Sequence, residues 1–552
     1  MKKIILGVCL SLFLSGCQME SSQNDSFSAI EIEQQNAIAS TTPYEPYGET
    51  IEYTLVKLTG LNNMPSGDTY ENNAITRFLK EKLNIQNKDI IEAQDSQYEN
   101  SIDMFISSKN LPDVMIVQDY DDLKYLVDND IIADLTDAYE NCTTDRIKEI
   151  YASYGDTILD NVTFDGKLMA LPETNIINGP NLIWLRKDWM DILGLDDPQT
   201  LEDVEYIVEQ FVTKDPGNNG KGNTIGLMVS NSLVNEAGYS AEYLLDTIFA
   251  YYDAFPKQWI EDDQGNIVYG STTAEAKKAL EHIHKLYEKG IIDQDFILRT
   301  THNIVDEIVE GRCGSFFGPW WASNNPLVDA MKEDPSANWK CYSIPTDEDG
   351  TVTYFAQNPS SKYVVVRKGF EHPEIIFKMI SVQFDYLRFE DKTVEEINNY
   401  ERNNVDQTAR PLSINIDYAN ALMESHNNIE SVIKGEKSLD DVPILDASYA
   451  SACLDYLKNG EFVAEDWAAY SSRIEAPSLF DEKKMVSHQS LFYGQTETMS
   501  THWWKLEELE ELTYIEMIVG EKDISDFDEF VKEWNRLGGQ QITQEVRELS
   551  KQ

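Results

Sequence analysis

The chain has 552 residues, which is too long for one hydrophobic core and predicts a body of two or three lobes. Its 97 acidic and 45 basic side chains give a formal net charge of −52, which argues against binding to nucleic acid or to an anionic membrane surface. Because carboxylates occur throughout the chain, a pair of them carries no information about catalysis.

The first 17 residues have the pattern of a bacterial export signal. Two lysines precede an apolar run that is too short to span a bilayer as a helix, so we predict a signal peptide over residues 1–16. The run ends in Leu14-Ser-Gly-Cys17, which resembles the lipobox of bacterial lipoproteins, whose cysteine carries the lipid. An ordinary secretory signal with a chance cysteine is the alternative. Since two acyl chains anchor a protein stably, we predict lipid attachment at Cys17 and a location on the outer face of the cell membrane.

A polar segment separates this signal from the body of the chain. Residues 17–48 lack sustained hydrophobic periodicity and are predicted to form a flexible tether. About 25 polar residues have a root-mean-square reach of about 25–30 Å, which lets the body meet a partner in the membrane. The body then covers residues 49–552.

The first elements of the body alternate between strand and helix. Residues Ile51–Leu58 alternate apolar and polar side chains, as a strand does, and a short buried strand is predicted at 111–118. Between them, one helical face carries four apolar residues: Ile75, Phe78, Leu79 and Leu83. This order favours an α/β architecture with a substantial parallel sheet, on which ligands bind beyond the carboxyl ends of the strands.

A second amphipathic helix is predicted further along the chain. Its apolar face carries Ala276, Leu280, Ile283 and Tyr287, and Gly290 suits the stop at its C-terminus. His282 and His284 lie two apart on this helix and point in different directions, so they do not form a metal-binding pair.

No local motif indicates an enzyme. The sequence contains no His-Glu-x-x-His, P-loop, nucleophile elbow or dinucleotide fingerprint. The four cysteines after the lipobox are Cys142, Cys313, Cys341 and Cys453, without Cys-x-x-Cys spacing. Cys313 and Cys341 could pair, but scattered cysteines in a large chain are more often free and buried. These local features therefore point to no catalytic chemistry.

The stretch from Asp215 to Gly226, DPGNNGKGNTIG, can be interpreted as a turn, a metal site or a family signature. Its Gly, Pro and Asn residues favour turn-initiating and positive-φ positions. A tight connection after a helix that ends near Val212 is the simplest interpretation.

Residues 166–227 become informative as a unit. Five pieces stand out there before the loop at 215–227: Gly166-Lys167, Leu171-Pro172, Leu185-Arg-Lys-Asp-Trp189, Leu193-Gly-Leu195 and Pro198-Gln-Thr200. Further pieces lie outside it: Leu111-Pro-Asp-Val-Met115, Gly311-Arg-Cys-Gly314 with Trp320-Trp321, His372-Pro-Glu374, Ile518-Val-Gly520, Phe527-Asp528, Trp534, Gly538-Gly539, Ile542-Thr543 and Glu545-Val546. In this order and spacing the chain resembles the extracellular solute-binding proteins of ABC importers, carbohydrate-type family 1, in their large lipoprotein branch. The resemblance spans nearly the whole mature chain.

The resemblance implies a two-lobed, periplasmic-binding-protein-like α/β fold of type II, with hinge crossovers and a ligand cleft between the lobes. The expected boundaries are approximate: lobe 1 at 49–172 and 358–410, lobe 2 at 180–344 and part of 411–552, with crossovers near 171–180 and 344–357. Open lobes would admit solute, contacts to both lobes would favour closure, and an ABC permease in the membrane would bind the closed shape. A monomer is the usual state in this family.

The resemblance also selects candidate ligand-binding residues. Sugars offer apolar C–H faces and many hydroxyl groups, so their sites combine aromatic platforms with hydrogen-bonding groups. Five residues are candidates: Trp320, Trp321, Arg186, Asp119 and Asn62. The alternatives are core packing for the tryptophans, a salt bridge for the arginine and a helix N-cap for the aspartate.

In relatives, the loop at 215–226 resembles a calcium-binding sequence of the EF-hand kind. Here Asp215, Asn219, the Lys221 carbonyl and Asn223 keep positions in that pattern, whereas Gly217 stands where an acid or amide is usual. A cation would meet one carboxylate rather than three, so a structural turn is favoured over a calcium site. No cofactor is required by this interpretation.

Three functions compete at this point. The first is a lipid-anchored receptor that captures a carbohydrate, in particular an oligosaccharide, and delivers it to an ABC permease. The second is a receptor of the same fold for a peptide or another polar solute. The third is a secreted, lipid-anchored carbohydrate-active enzyme, which as a glycosidase would need two carboxylates at a fixed separation. The whole-chain resemblance to non-catalytic receptors argues against the third.

Overall fold

The computed structural model describes residues 29–60, 63–155, 157–234, 242–356, 358–403, 405–458 and 462–550. The predicted signal peptide, Cys17 and Asn62 lie outside the described residues. None of the helices in the described ranges is both long and apolar enough to cross a membrane.

The described residues form two main sheets, three two-stranded ladders and the helices that cover them. The strands are β1 (Ile51–Leu58), β2 (Ile85–Ala93), β3 (Val114–Val117), β4 (Thr163–Phe164), β5 (Lys167–Leu168), β6 (Leu171–Pro172), β7 (Leu182–Arg186), β8 (Ile225–Met228), β9 (Trp259–Glu261), β10 (Ile267–Tyr269), β11 (Cys313–Gly318), β12 (Trp339–Tyr342), β13 (Val352–Phe355), β14 (Tyr363–Val366) and β15 (Met485–His488). The α-helices are α1 (Ala29–Ala39), α2 (Ala74–Leu83), α3 (Asp95–Ser108), α4 (Tyr120–Asp128), α5 (Thr136–Cys142), α6 (Asp145–Ala152), α7 (Thr157–Asp160), α8 (Lys187–Leu193), α9 (Leu201–Lys214), α10 (Asp246–Tyr251), α11 (Ala274–Glu288), α12 (Thr301–Val309), α13 (Val328–Glu333), α14 (Ile375–Ser381), α15 (Glu395–Arg402), α16 (Ala421–Ile433), α17 (Ile444–Lys458), α18 (Ala464–Tyr470), α19 (Met499–Val519), α20 (Phe527–Trp534) and α21 (Gln540–Leu549).

The first lobe is built on a sheet with strand order β2-β1-β3-β14-β6. Strands β1, β2 and β3 are parallel, whereas β14 pairs antiparallel with β3 and β6. All four residues of β3 are buried, because helices cover both faces of the sheet centre. The strand predicted at 51–58 has the predicted bounds, and α2 begins at the capping box of Asn73 and Thr76.

The second lobe is built on a sheet with strand order β12-β7-β11-β8. Strand β7 runs antiparallel to β11 and β12, and β11 runs parallel to β8. The side chains of β7 alternate between two cores: Leu182 and Trp184 pack into one, and Ile183 and Leu185 into the other. The amphipathic helix predicted around residues 276–287 is α11, and Gly290 after it has a left-handed φ of 71°.

Three segments of the chain cross between the lobes, and they lie side by side. The first follows β6, the second precedes β14 and the third leads into α16. The backbone of the first bonds to the second through Glu173 N to Lys362 O (2.8 Å), and to the third through Thr174 N to Asn415 O (2.9 Å). The buried carboxylate of Glu173 also accepts from the Lys362 ammonium (3.1 Å) and from Asn415 N (3.1 Å). The predicted two-lobed α/β fold with crossovers is confirmed.

The tether prediction is wrong for residues 29–48, which pack against the first lobe. Helix α1 ends at Ala39, which is fully buried. The ammonium of Lys378, also fully buried, donates to the carbonyls of Ala39 (2.8 Å), Thr42 (2.5 Å) and Glu45 (3.0 Å). Tyr47 donates its hydroxyl proton to Glu374 at 2.6 Å. A polar sequence is held here because its backbone carbonyls satisfy a buried cation and the Tyr47 side chain bonds a buried carboxylate.

The four cysteines in the described residues are free and buried, including Cys313 and Cys341. Burial raises the pKa of the Cys142 thiol to about 11 and that of Cys453 to about 12. These thiols are therefore small core side chains that stay protonated at neutral pH.

Candidate functional site

A cavity of about 790 Å³ lies between the two lobes. The first lobe contributes residues after β3, before β14 and on α3, and the second contributes the β9–β10 hairpin, the segment after β15 and the start of α19. A cavity of this size falls in the range of small-molecule sites, which is roughly 300–1,000 Å³. Both lobes therefore form the walls of one site.

The wall of the first lobe follows from the register of its sheet. Because β14 runs antiparallel to β3, Tyr363 pairs with Val117, and the start of β14 lies beside the end of β3. Asp119 then caps α4: its Oδ1 accepts from the backbone N–H of Asp121 at 2.8 Å. The carboxyl end of a central strand thus presents a cluster of polar side chains to the cavity, as expected for ligand sites on α/β sheets.

The wall of the second lobe is aromatic. Trp259 and Tyr269 pair across the β9–β10 hairpin, and the ring of Trp503, near the start of α19, lies 6.3 Å and 5.2 Å from theirs. Leu491 N donates to Trp259 O at 2.8 Å, which fixes the segment after β15 against this hairpin. All three residues line the cavity; Trp259 and Tyr269 are buried, whereas Trp503 is only partly buried.

The cavity is strongly acidic. Its described lining includes six carboxylates and one basic side chain, that of Lys257, which forms an ion pair with Glu511 at 3.1 Å. Partial burial, together with repulsion from neighbouring carboxylates, raises the pKa of Asp121 and of Asp122 to about 6. Burial also raises the pKa of Glu507 on the opposite wall. Lining acids are therefore less solvated than ordinary surface acids.

One hydrogen bond spans the cavity from lobe to lobe. The side-chain amide of Gln495, in the second lobe, donates to Asp121 Oδ2 in the first. A contact of this kind forms only when the lobes are close, so it belongs to the arrangement in which the cavity is covered.

The cavity suits a ligand with apolar faces and many hydroxyl groups. Partly buried rings, such as those of Trp503 and Phe492, offer flat apolar surfaces. Carboxylates accept hydrogen bonds, and the amides of Gln118 and Gln495 both donate and accept. Such a surface can bind a polyhydroxylated molecule on two sides.

Of the predicted site residues, Asp119 lines the cavity and is also an N-cap, so its position is compatible with both interpretations. Arg186, Trp320 and Trp321 are not among the described lining residues, and Asn62 lies outside the described chain. Arg186 is 6% exposed and donates to both carboxylate oxygens of Asp188, at 2.8 and 2.7 Å. The structure favours the salt-bridge alternative for Arg186, and its ligand-binding role stays a prediction.

The stacking role of Trp320 also stays a prediction, and the surroundings of its ring are those of a core residue. Its ring is 4% exposed, its Nε1 donates to Asn178 Oδ1 at 3.2 Å, and the guanidinium of Arg473 lies 4.8 Å from its centre. Trp321 is partly buried and packs against the same core of the second lobe. The core-packing alternative therefore describes Trp320.

The aromatic residues that do line the cavity were missed by the sequence reasoning. Tyr120 directly follows the predicted strand end, so the rule that selected Asp119 applies to it as well. The segment Leu491-Phe-Tyr-Gly-Gln495 offers a weaker signal, which is a pair of aromatic residues beside a glycine between two polar stretches. Trp503 lies in a helix with no distinguishing local pattern.

The loop at 215–226 is a hydrogen-bonded turn. Asp215 Oδ1 accepts from Asn219 N (2.8 Å) and from the Thr224 hydroxyl (2.6 Å), and its Oδ2 accepts from Gly220 N (2.9 Å). A Cβ at Gly217 would lie 2.5 Å from the Trp189 ring, so the position of the missing acid is occupied by an indole. Nowhere in the described ranges do three His, Cys, Asp or Glu side chains group as a metal site would require. The geometry fits the turn better than a calcium site.

Fold and cavity together define a two-lobed binding protein with its ligand site between the lobes. The chain belongs to the family described as bacterial extracellular solute-binding protein, whose sequence profile matches residues 73–368.

Individual relatives agree with this assignment. The polygalacturonan/rhamnogalacturonan-binding protein YtcQ of Bacillus subtilis (strain 168) is 25% identical, over 86% of this chain and 87% of its own length. Among solved structures, the alginate-binding protein AlgQ2 covers 93% of this chain and 100% of its own, with a TM-score of 0.60 and 14% identity. The substrate-binding protein FusA of Streptococcus pneumoniae, in complex with kestose, covers 91% and 99%, with a TM-score of 0.59 and 14% identity. At these identities the solved structures establish the fold.

Proposed function

We propose that this chain is a lipid-anchored, extracytoplasmic receptor that captures an oligosaccharide between its lobes and delivers it to an ABC permease. The observation that carries the proposal is the cavity, which joins an aromatic wall on one lobe to a hydrogen-bonding wall on the other. Two relatives or neighbours named above bind polysaccharides by name, and a third is in complex with kestose, which supports a carbohydrate as the ligand.

Capture requires that the lobes move relative to each other, and the crossovers provide a hinge. Three hydrogen-bonded segments can bend together while the two sheets stay rigid, because the packed cores lie on either side of them. A ligand that contacts both walls binds the closed arrangement more tightly than the open one, and this difference drives closure. The contact between Gln495 and Asp121 adds to the stability of the closed arrangement.

The lipid on Cys17 would keep the receptor on the outer face of the membrane, where its permease lies. The closed arrangement is then the form that the permease recognises. This part of the proposal rests on the Leu-Ser-Gly-Cys sequence at residues 14–17. This role requires neither an oligomer, nor nucleic-acid binding, nor catalysis.

A panel of oligosaccharides of three to six units tests the function. Titration calorimetry measures binding, small-angle X-ray scattering measures closure, and chromatography of the same samples measures any product. We expect at least one saccharide to bind, to reduce the radius of gyration and to remain intact. Binding of peptides but of no saccharide would indicate a receptor for another solute. Steady release of shorter sugars would indicate an enzyme. Binding of no saccharide would refute the proposal.

A further inference from the structure

The charges around the cavity define the class of saccharide that it accepts. We propose that the site selects saccharides whose ring substituents donate hydrogen bonds, as hydroxyl or ammonium groups do, and rejects saccharides that carry carboxylates. The inference rests on the proposed carbohydrate-binding function and makes it more specific. It differs from what the name of the relative YtcQ suggests, since polygalacturonan is a polymer of a uronic acid.

The excess of acids at the cavity is larger than the excess in the whole chain. Six acidic side chains and one basic side chain are among the described lining residues, against 97 and 45 in the whole sequence. The acids come from both lobes: Glu99, Asp103, Asp119, Asp121 and Asp122 from the first, and Glu507 from the second. A ligand between the lobes therefore meets negative charge on two sides.

In the part of the cavity wall that the structure describes, no cation is available to a ligand carboxylate. Lys257 is the one basic residue in the described lining, and its ammonium is held by Glu511 at 3.1 Å, with Glu507 close enough to interact electrostatically. Its side chain is 7% exposed. Binding a uronate would need an arginine or lysine in good geometry to offset the loss of hydration, and the described walls offer none.

Asp122 shows what kind of group the site lacks. Its carboxylate is half-buried, its charged neighbours are Asp119 and Asp103, and no donor among the described residues bonds to it. Asp121, by contrast, accepts from Gln495 and lies near Lys124. A hydroxyl or ammonium group of a ligand would supply the missing donor to Asp122, whereas a ligand carboxylate would add repulsion.

Two matched pairs of trisaccharides test the inference with the full mature protein. α-1,4-Galactotriose and its uronate, trigalacturonate, differ at C6; cellotriose and the glucosamine trimer differ at C2. We expect galactotriose to bind more tightly than trigalacturonate, and the glucosamine trimer at least as tightly as cellotriose. The other uronates and neutral sugars of the panel extend the comparison.

Two further measurements assign the selectivity to charge at this site. Asp122→Asn keeps the shape and removes one charge, so we expect the affinity ratio of uronate to neutral sugar to rise by roughly three- to tenfold. Asp128→Asn is the control, since Asp128 lies at the far end of the same helix and pairs with Lys124 outside the cavity. Should Asp122→Asn fold poorly, the wild type can be titrated at 50 and at 500 mM NaCl. The higher salt concentration should raise the affinity ratio of uronate to neutral sugar toward one.

The outcomes separate this inference from the function on which it rests. Neutral or amino sugars that outbind every uronate support both. A uronate that binds as tightly as its neutral partner, or more tightly, overturns the inference and leaves the carbohydrate receptor intact. Binding of no saccharide overturns the function itself.

Discussion

Removing the indole of Trp503 should weaken ligand binding while the fold survives. Trp503 is the partly buried member of a cluster of cavity-lining rings that also contains Trp259 and Tyr269. Trp503→Ala therefore deletes one apolar platform of the site but leaves the two buried rings beside it in place.

The size of the effect follows from the area of one indole face. About 70 Å² of ring covered by a sugar, at ~25 cal/mol per Å², contributes about 2 kcal/mol, or roughly 20–30-fold in affinity. The two lost ring contacts with Trp259 and Tyr269 should lower the free energy of unfolding by about 1–3 kcal/mol. The substitution should thus be visible in both quantities, with the protein still folded at 25 °C.

Trp504 provides a matched control in the same turn of α19. Its side chain is 60% exposed and is not among the described lining residues. Calorimetric titration of the best saccharide from the panel, with thermal unfolding of each variant, gives both quantities. We expect Trp504→Ala to bind as the wild type does, and Trp503→Phe to recover part of the affinity.

The reasoning would be refuted by a folded Trp503→Ala protein that binds the saccharide with unchanged affinity. Equal losses of affinity in Trp503→Ala and Trp504→Ala would also contradict it, because the second ring faces solvent.

Three other substitutions have defined outcomes. The pKa of Asp122 is raised to about 6 in the folded ligand-free protein, so the carboxyl favours folding below pH 4 and loses that contribution as the pH rises through 6. In denaturant titrations, the free energy of unfolding of Asp122→Asn relative to that of the wild type should therefore rise by about 1–2 kcal/mol between pH 4 and pH 7.5, after allowance for solvent screening. A difference that does not change with pH would contradict the assignment of the raised pKa. Asp215→Ala loses three hydrogen bonds at the turn and should lower the melting temperature equally with and without 2 mM calcium. A large calcium-dependent rise of the melting temperature in the wild type alone would show that the loop is a calcium site. Cys17→Ala should move the protein from the detergent phase to the aqueous phase on partitioning, and a variant that still enters detergent would disprove the lipid anchor.

Local patterns were enough to predict the elements and one part of the site. Alternation over Ile51–Leu58 and the apolar face around Leu79 and Leu83 are properties of neighbouring residues, so the sequence displays them directly. The place of Asp119 at the cavity could be predicted because the carboxyl end of a buried strand is itself a local feature.

The features that local patterns do not display depend on partners far away along the chain. Trp320 and Trp503 are each followed by a second tryptophan in the sequence. They differ only in distant partners, since Arg473 packs over the first and the second lines the cavity. Likewise, the segment ending at Ala39 looks like a tether because Lys378, 339 residues later, is the group that holds it.

The buried Lys378 ammonium also sets a distance from the membrane. With a lipid on Cys17 as proposed, about 12 residues separate the anchored atom from the start of α1, and even a fully extended chain of that length reaches only about 40 Å. A tether that ran to residue 48 would reach roughly 100 Å. The volume open to the receptor shrinks with the cube of this radius, by more than tenfold, and its effective concentration at the permease rises in proportion. One lysine in the core of the first lobe would thus govern how often receptor and transporter collide.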